Sequence, residues 1–326
     1  MPFAPQIKQL SPGLMACIGV VAAAWVVSTI GGWTSNMLVF CILIGTAVHT
    51  LFGLPAAAGP GIRFAAHRVL ELAIVLLGAS IDVSALAGLG PKLLISVVLL
   101  VAVAIPVSFA IGRMLGLPPR LAALVACGNS ICGNSAIVAA APALRAEAKD
   151  VASAIAFTAA LGIAVVLALP LLGQALGLDA WHYGILAGMS VYAVPQVLAA
   201  TATAGLVATQ IATLVKLVRV MMLGPVVLLL GLTAGRQAKA PISAMIPWFI
   251  PAFAAMAVLR NTGMLPPMVM PTISGATEAL TLVAMAGLGL SVDLRSVLRS
   301  GGRVLMAGTL SILALLAMGF GILQIL

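Results

Sequence analysis

Eleven apolar segments, each ended by glycine, proline or charge, fall at about 14–30, 36–52, 64–82, 92–112, 120–143, 151–172, 182–203, 207–232, 243–260, 271–290 and 304–325. A run of ~20 apolar residues is the length of a helix that crosses a bilayer, so this succession leaves little chain for anything except membrane helices and short loops. Composition agrees: 63% of the 326 residues are hydrophobic, 7% are charged and the mean hydropathy is +1.25, whereas roughly a quarter of a soluble domain is charged. The expected class is an all-α polytopic membrane protein, with 1–326 forming a single transmembrane domain. No room is left for a soluble catalytic or nucleic-acid-binding domain, and the net charge of +9 reads as cationic loops beside a membrane. No cofactor and no nucleic-acid partner is expected.

The termini and cysteines add little to this. Leu14–Ile30 is longer than a typical signal-peptide core, although Ala22-Ala23-Ala24 mimics a cleavage site. Cys17, Cys41, Cys127 and Cys132 all lie in apolar or small-residue stretches without a metal-type spacing, so neither a disulfide framework nor a metal site is expected.

Two internal repeats carry more information than any single motif. An offset of 211 places Pro55 on Pro266, Pro60 on Pro271, Gly78 on Gly289, Ser80 on Ser291, Asp82 on Asp293 and Gly90 on Gly301, relating 36–112 to 247–325. An offset of 60 places GNSICGNSAIVAAA (128–141) on GMSVYAVPQVLAAT (188–201), relating 120–172 to 182–232. If all eleven segments crossed the membrane, one repeat would be inverted and the other parallel, which a single duplication cannot produce. Both become inverted if the fifth and seventh segments are re-entrant hairpins. The reading is therefore nine spanning helices plus two hairpins, with eleven spanning helices as the alternative.

Cation counting favours the hairpins. Lys8, Arg63, Arg68, Arg113, Arg120, Arg145, Lys149, Arg236, Lys239, Arg295, Arg299 and Arg303 then share the N-terminal side, against Lys92 and Arg260 opposite. By the positive-inside rule the N-terminus is cytoplasmic. Lys216 and Arg219 remain inside the membrane, one helical turn apart.

Inverted repeats with broken segments are a secondary-transporter architecture, because an opposed pair of discontinuous elements lets one central site open to either face. The first tip offers Asn129, Ser130, Gly133, Asn134 and Ser135, and the second offers Ser190, Tyr192 and Gln196. A helical arm leaving such a tip aims its positive end at the membrane centre, where an anion can sit. Buried cations are costly and face a partner or a wet site, so Lys216 and Arg219 point to an anionic substrate or to internal pairing with Glu278 or Glu71. Those two carboxylates are in turn the candidates for coupling to a proton or sodium ion. Asp82 and Asp293 sit at matching helix ends and suit capping. His49, His67 and His182 suit interface positions, as do Trp25, Trp33, Trp181 and Trp248.

No GxxxxGK[ST] loop, HExxH or triad-like grouping is present, so ATP-driven transport and intramembrane proteolysis lose ground. CGNSICGNSAIVAAAP (127–142), KDVASAIAF (149–157), QVLAA (196–200) and VKLVRV (215–220), together with LLGASIDV and AGLGLSVDL, resemble the YeiH-type family named for sulfate export. The resemblance covers nearly the whole chain. It implies a bacterial inner-membrane secondary transporter related to the broad group holding bile-acid and sodium/proton transporters, and it admits a homodimer. Where relatives tend to read S-I-H-E-V-A-Q-V, this chain has Ser190-Val191-Tyr192-Ala193-Val194-Pro195-Gln196-Val197, without the His and Glu. The expected function is export of a small anion of the sulfate, sulfonate or carboxylate class by an elevator-like cycle, not enzymatic catalysis. A passive anion channel and a membrane enzyme using Glu278 are the alternatives.

Overall fold

The computed structural model describes residues 4–31, 37–80, 90–233, 248–293, 295 and 302–326. Asp82, Trp33, Arg236, Lys239 and Arg299 lie outside the described residues. Those described are helical and joined by short turns, in the order α1 (Ala4–Ile30), α2 (Met37–Phe52), α3 (Gly59–Phe64), α4 (Leu70–Leu77), α5 (Gly90–Met114), α6 (Pro119–Cys127), α7 (Asn134–Leu144), α8 (Ala148–Ala175), α9 (Ala180–Ser190), α10 (Val194–Thr201), α11 (Leu206–Met221), α12 (Leu223–Thr233), α13 (Phe249–Asn261), α14 (Met270–Leu290) and α15 (Gly302–Leu323). Among the described residues six helices are long and apolar enough to cross a membrane. Large apolar side chains such as Leu94, Ile95, Val98 and Leu99 on α5 stay exposed, as a lipid-facing surface requires.

The chain forms two compact units, each assembled from separate stretches. The first contains 1–86 and 248–295, hence α1–α4, α13 and α14. Its helices meet through glycines, which let backbones approach where apolar side chains gain little by leaving lipid. A methyl group added at Gly289 would lie 2.9 Å from the Cα of Ile42, and one at Gly78 would lie 3.2 Å from the carbonyl carbon of Phe253. Residues 289 and 42 differ from 78 and 253 by the offset of 211 in each case, once subtracted and once added. The two contacts are thus counterparts in which the copies exchange roles. A π-helical turn at Ala65–Val69 joins α3 to α4.

The second unit contains 87–247 and 296–326, hence α5–α12 and α15. Within it the chain turns back on itself twice. The side chain of Ile137 packs so closely on Gly128 that a methyl there would lie 2.9 Å from its Cδ1. Nine residues of straight helix would hold these positions ~13 Å apart, so α6 and α7 are the arms of a hairpin. Likewise the Tyr183 hydroxyl donates to the Ala200 carbonyl at 2.6 Å, which closes α9 against α10. Both regions expected to be re-entrant therefore reverse direction.

α9 starts on a strong local signal. The Asp179 carboxylate, in the loop after α8, accepts from the backbone N–H of His182 at 2.8 Å and lies 2.8 Å from its Nδ1. These bonds, the backbone one foremost, hold the Asp179 carboxyl below the usual carboxylate range. A depressed carboxyl adds stability above its unfolded-state pKa and loses it as pH falls through the folded value. Asp179→Ala is expected to cost about 0.5–2 kcal/mol at neutral pH, as loss of an N-cap does. The gap to wild type should close on acidification below about pH 4, as read from melting temperatures in detergent across a pH series.

Candidate functional site

The two hairpin tips meet between α8 and α11. Local sequence builds each tip differently. α6 widens into a π-helical turn over Gly128–Cys132 and stops at Gly133, whose φ of 65° and ψ of −128° suit only a residue without a Cβ. The second tip is extended at Val191 and Ala193. α10 then carries Pro195 in its first turn, a residue with no N–H to leave unpaired, while the Gln196 Oε1 accepts from the Ala193 amide at 3.2 Å.

On the α11 side lie the carbonyl ends of the incoming arms. Lys216 and Arg219 are fully buried, and backbone oxygens surround them. The Lys216 ammonium donates to the Ile131 carbonyl at 2.6 Å and the Val191 carbonyl at 2.8 Å. The Arg219 guanidinium donates to the carbonyls of Asn129 (3.1 Å), Ser130 (3.0 Å), Gly188 (2.9 Å) and Val191 (3.3 Å). A helix ends in unpaired carbonyls and a partial negative charge. Here two such ends converge, and two cations from one turn of α11 satisfy them. Residues 131 and 191 are equivalent under the offset of 60, so Lys216 bridges matching atoms of the two tips. Close approach is secured by Gly188, where a methyl would lie 2.5 Å from the Ala212 carbonyl oxygen of α11.

On the α8 side lie the amide ends of the outgoing arms. The Thr158 hydroxyl donates to Asn134 Oδ1, Phe157 meets the Tyr192 ring edge-to-face at 6.3 Å, and Gly162 lies so close to the Gln196 amide that a methyl would overlap it. Asn129 links the layers: its Nδ2 donates to Ser108 Oγ at 3.1 Å and its Oδ1 accepts from the Tyr192 hydroxyl at 3.1 Å. Ser130 Oγ, fully buried, has no hydrogen-bond partner among the described residues. Asn134 is half-buried and Ser135 exposed, so the start of α7 is the accessible edge of the junction.

The sequence candidates thus separate into two groups. Asn129, Ser130, Gly133, Asn134, Tyr192, Gln196, Lys216 and Arg219 come together at the junction. Ser190 belongs to the same tip, but its hydroxyl turns back to the Leu186 carbonyl at 2.6 Å. Glu71 and Glu278 belong to the first unit. Glu71 pairs with Arg68 at 2.9 Å and accepts from Trp248 Nε1 at 2.8 Å, while Glu278 is exposed on α14. Among the described residues the groups that hold the cations are carbonyls, because two helix ends supply the negative potential. Asp293 does sit at a helix end, accepting from the Arg295 amide at 3.0 Å. Ser108, Phe157, Thr158 and Gly162 were not anticipated. They lie inside the repeat-related segments 36–112 and 120–172, Phe157 at the end of KDVASAIAF, but their counterparts under the two offsets are Gly319, Leu217, Val218 and Met222, so no shared residue marked them.

Comparison with known proteins places this arrangement in a family. The model of the family described as Conserved hypothetical protein 698 matches residues 12–308. A UPF0324 membrane protein of Agrobacterium fabrum is 48% identical, covering 98% of this chain and 95% of the relative. One from Brucella melitensis is 49% identical over 98% of this chain and 92% of its own. One from Bacillus cereus is 34% identical over 87% and 82%. No solved structure matches the chain. A membrane protein with two reversing helix pairs in its second unit, the chain belongs to the UPF0324 family of membrane proteins, described as Conserved hypothetical protein 698 and the same family as the YeiH-type proteins.

Proposed function

We propose that this protein is a secondary transporter that carries a small oxyanion, of the sulfate, sulfonate or carboxylate class, across the bacterial inner membrane. The observation that carries the reading is the charge balance at the hairpin junction. Each helix end contributes a partial charge of about half a unit. The two carbonyl ends contribute about −1, the two amide ends about +1 and the two cations +2, which leaves the junction near +2. Among the described residues, the groups that hold Lys216 and Arg219 are backbone carbonyls and include no carboxylate. Such a centre favours an anion and disfavours a cationic substrate.

The cations act through the tips rather than as direct ligands, since their donors already point at carbonyls. The substrate's oxygens fall to the other side. The first amides of α7 and α10 have no intrahelical acceptor, and the Asn134 amide and the Ser135 hydroxyl add donors there. In this reading the unit that carries both hairpins moves as a body and exposes the amide side to each face of the membrane alternately. Glu71 or Glu278 would take a coupling proton, and the direction is export. No chemical reaction is part of the cycle, and a homodimer is compatible with it.

The test is counterflow in proteoliposomes. Labelled sulfate, sulfite, a sulfonate and a carboxylate are offered against an excess of the same unlabelled anion inside. The expected result is transient, saturable accumulation of at least one of them, with a matching rise in melting temperature of the purified protein. An ohmic anion current that never saturates would establish a channel instead.

A further inference from the structure

The carbonyl oxygens of Ile131 and Val191 both lie within 2.8 Å of a single nitrogen, Lys216 Nζ. They come from equivalent positions of the two tips, 131 and 191, under the offset of 60. Unwound backbone carbonyls and half-helix C-terminal ends at the centre of inverted-repeat transporters are the groups that coordinate a small monovalent cation. In this protein that position is filled by a charge the chain itself supplies. The counterpart of Lys216 in the first copy is Ala156 on α8, so the charge has been placed once, at a seat shared by both copies. It is fully buried and comes from the side of the junction opposite the accessible Ser135.

We propose that the Ile131 and Val191 carbonyls form a monovalent-cation seat whose permanent occupant is the Lys216 ammonium, so that the junction is assembled without sodium or potassium. The proposal rests on the transporter reading only for its place in a cycle; the seat itself exists whether or not an anion is carried. Three physical consequences follow. The two tips stay joined through Lys216 at any external sodium concentration. Removing the side chain opens a space lined by two convergent carbonyls that have lost their donor, and a free cation can restore the missing charge. Arg219 also donates to Val191 at 3.3 Å, so the reopened seat will be weak, with one carbonyl still partly engaged.

The experiment uses purified full-length wild type, Lys216→Ala and Lys216→Met in detergent. Melting temperatures are compared in equal concentrations of sodium, potassium, methylammonium and choline chloride, without any transported anion. Wild type should melt at the same temperature in all four salts. Lys216→Ala should melt lower in choline and recover saturably, by a few degrees, in sodium, potassium or methylammonium. Lys216→Met fills the space with an uncharged side chain and should be destabilised with no such recovery. If Lys216→Ala does not fold in choline, recovery of folded protein when it is purified in methylammonium is the same result. Sodium-specific stabilisation of wild type would overturn the proposal, and so would a Lys216→Ala protein, or its yield, that is indifferent to all four cations. Neither outcome depends on anion counterflow, so a failure here is distinguishable from a failure of the transport reading.

Discussion

Arg219→Leu is expected to destabilise the protein by about 3–5 kcal/mol, because removing one partner of a buried charged cluster strands the other. Arg219 donates to the carbonyls of Asn129, Ser130, Gly188 and Val191, and among the described residues Val191 alone of these has a second side-chain donor, in Lys216. Each buried acceptor left without a partner costs about 1–3 kcal/mol. Three of them, on two different tips, account for the magnitude without invoking any substrate. Arg219→Lys should recover only a minor part. An ammonium is a point charge on a flexible stem, whereas the planar guanidinium presents donors in a fork that spans both tips. The measurement is the melting temperature and monodispersity of each variant in detergent. A Lys216→Leu partner should complete the comparison, with the double variant more than additive because Val191 keeps one donor in either single variant and loses both in the double. If Arg219→Leu matched wild-type stability while abolishing counterflow, Arg219 would be a direct anion ligand and the clamp would be the wrong description.

Gly133→Ala should have the second largest effect, and on transport more than on folding. Its φ of 65° with ψ of −128° lies where an L side chain is strained, at about 1–3 kcal/mol. An added methyl would also lie 3.3 Å from Tyr192 Cβ on the opposing tip. Relief of both problems must shift the first turn of α7, the turn that presents Asn134 and Ser135. Counterflow should therefore fall well below the loss expected from unfolding alone. Gly177→Ala is the control: its φ is 61°, but nothing lies within 4 Å of an added methyl. It should lower the melting temperature comparably and leave counterflow intact. Equal counterflow in the two variants would remove the α7 amide end from the site.

Most of the architecture was legible in the chain because a bilayer permits few alternatives. Backbone groups in lipid must be satisfied internally, so apolar length alone announced helices. The parity of two repeats, at offsets of 211 and 60, then favoured reversals at 120–143 and 182–203 over eleven crossings. Gly133 and Pro195 marked where they fall. The site was legible in part for the same reason: polar residues at the tips and two cations mid-helix are too costly to be there without partners. What those partners are was not legible. Backbone carbonyls carry no residue identity, so a lysine that bonds Ile131 and Val191 leaves no mark at either position. Reading side chains alone, Glu71 and Glu278 were the natural counter-charges, yet Glu71 is engaged by Arg68 and Trp248.

Apolar periodicity, repeat parity and turn-forming residues thus determined helices, reversals and the burial of two cations, all of them local or pattern-level properties. Only the tertiary structure decided that Lys216 and Arg219 serve the carbonyl ends of both tips rather than the amide ends on the α8 side. That outcome depends on how four helix ends converge in space. Helix-end charge is a property of direction and position, which no residue letter records.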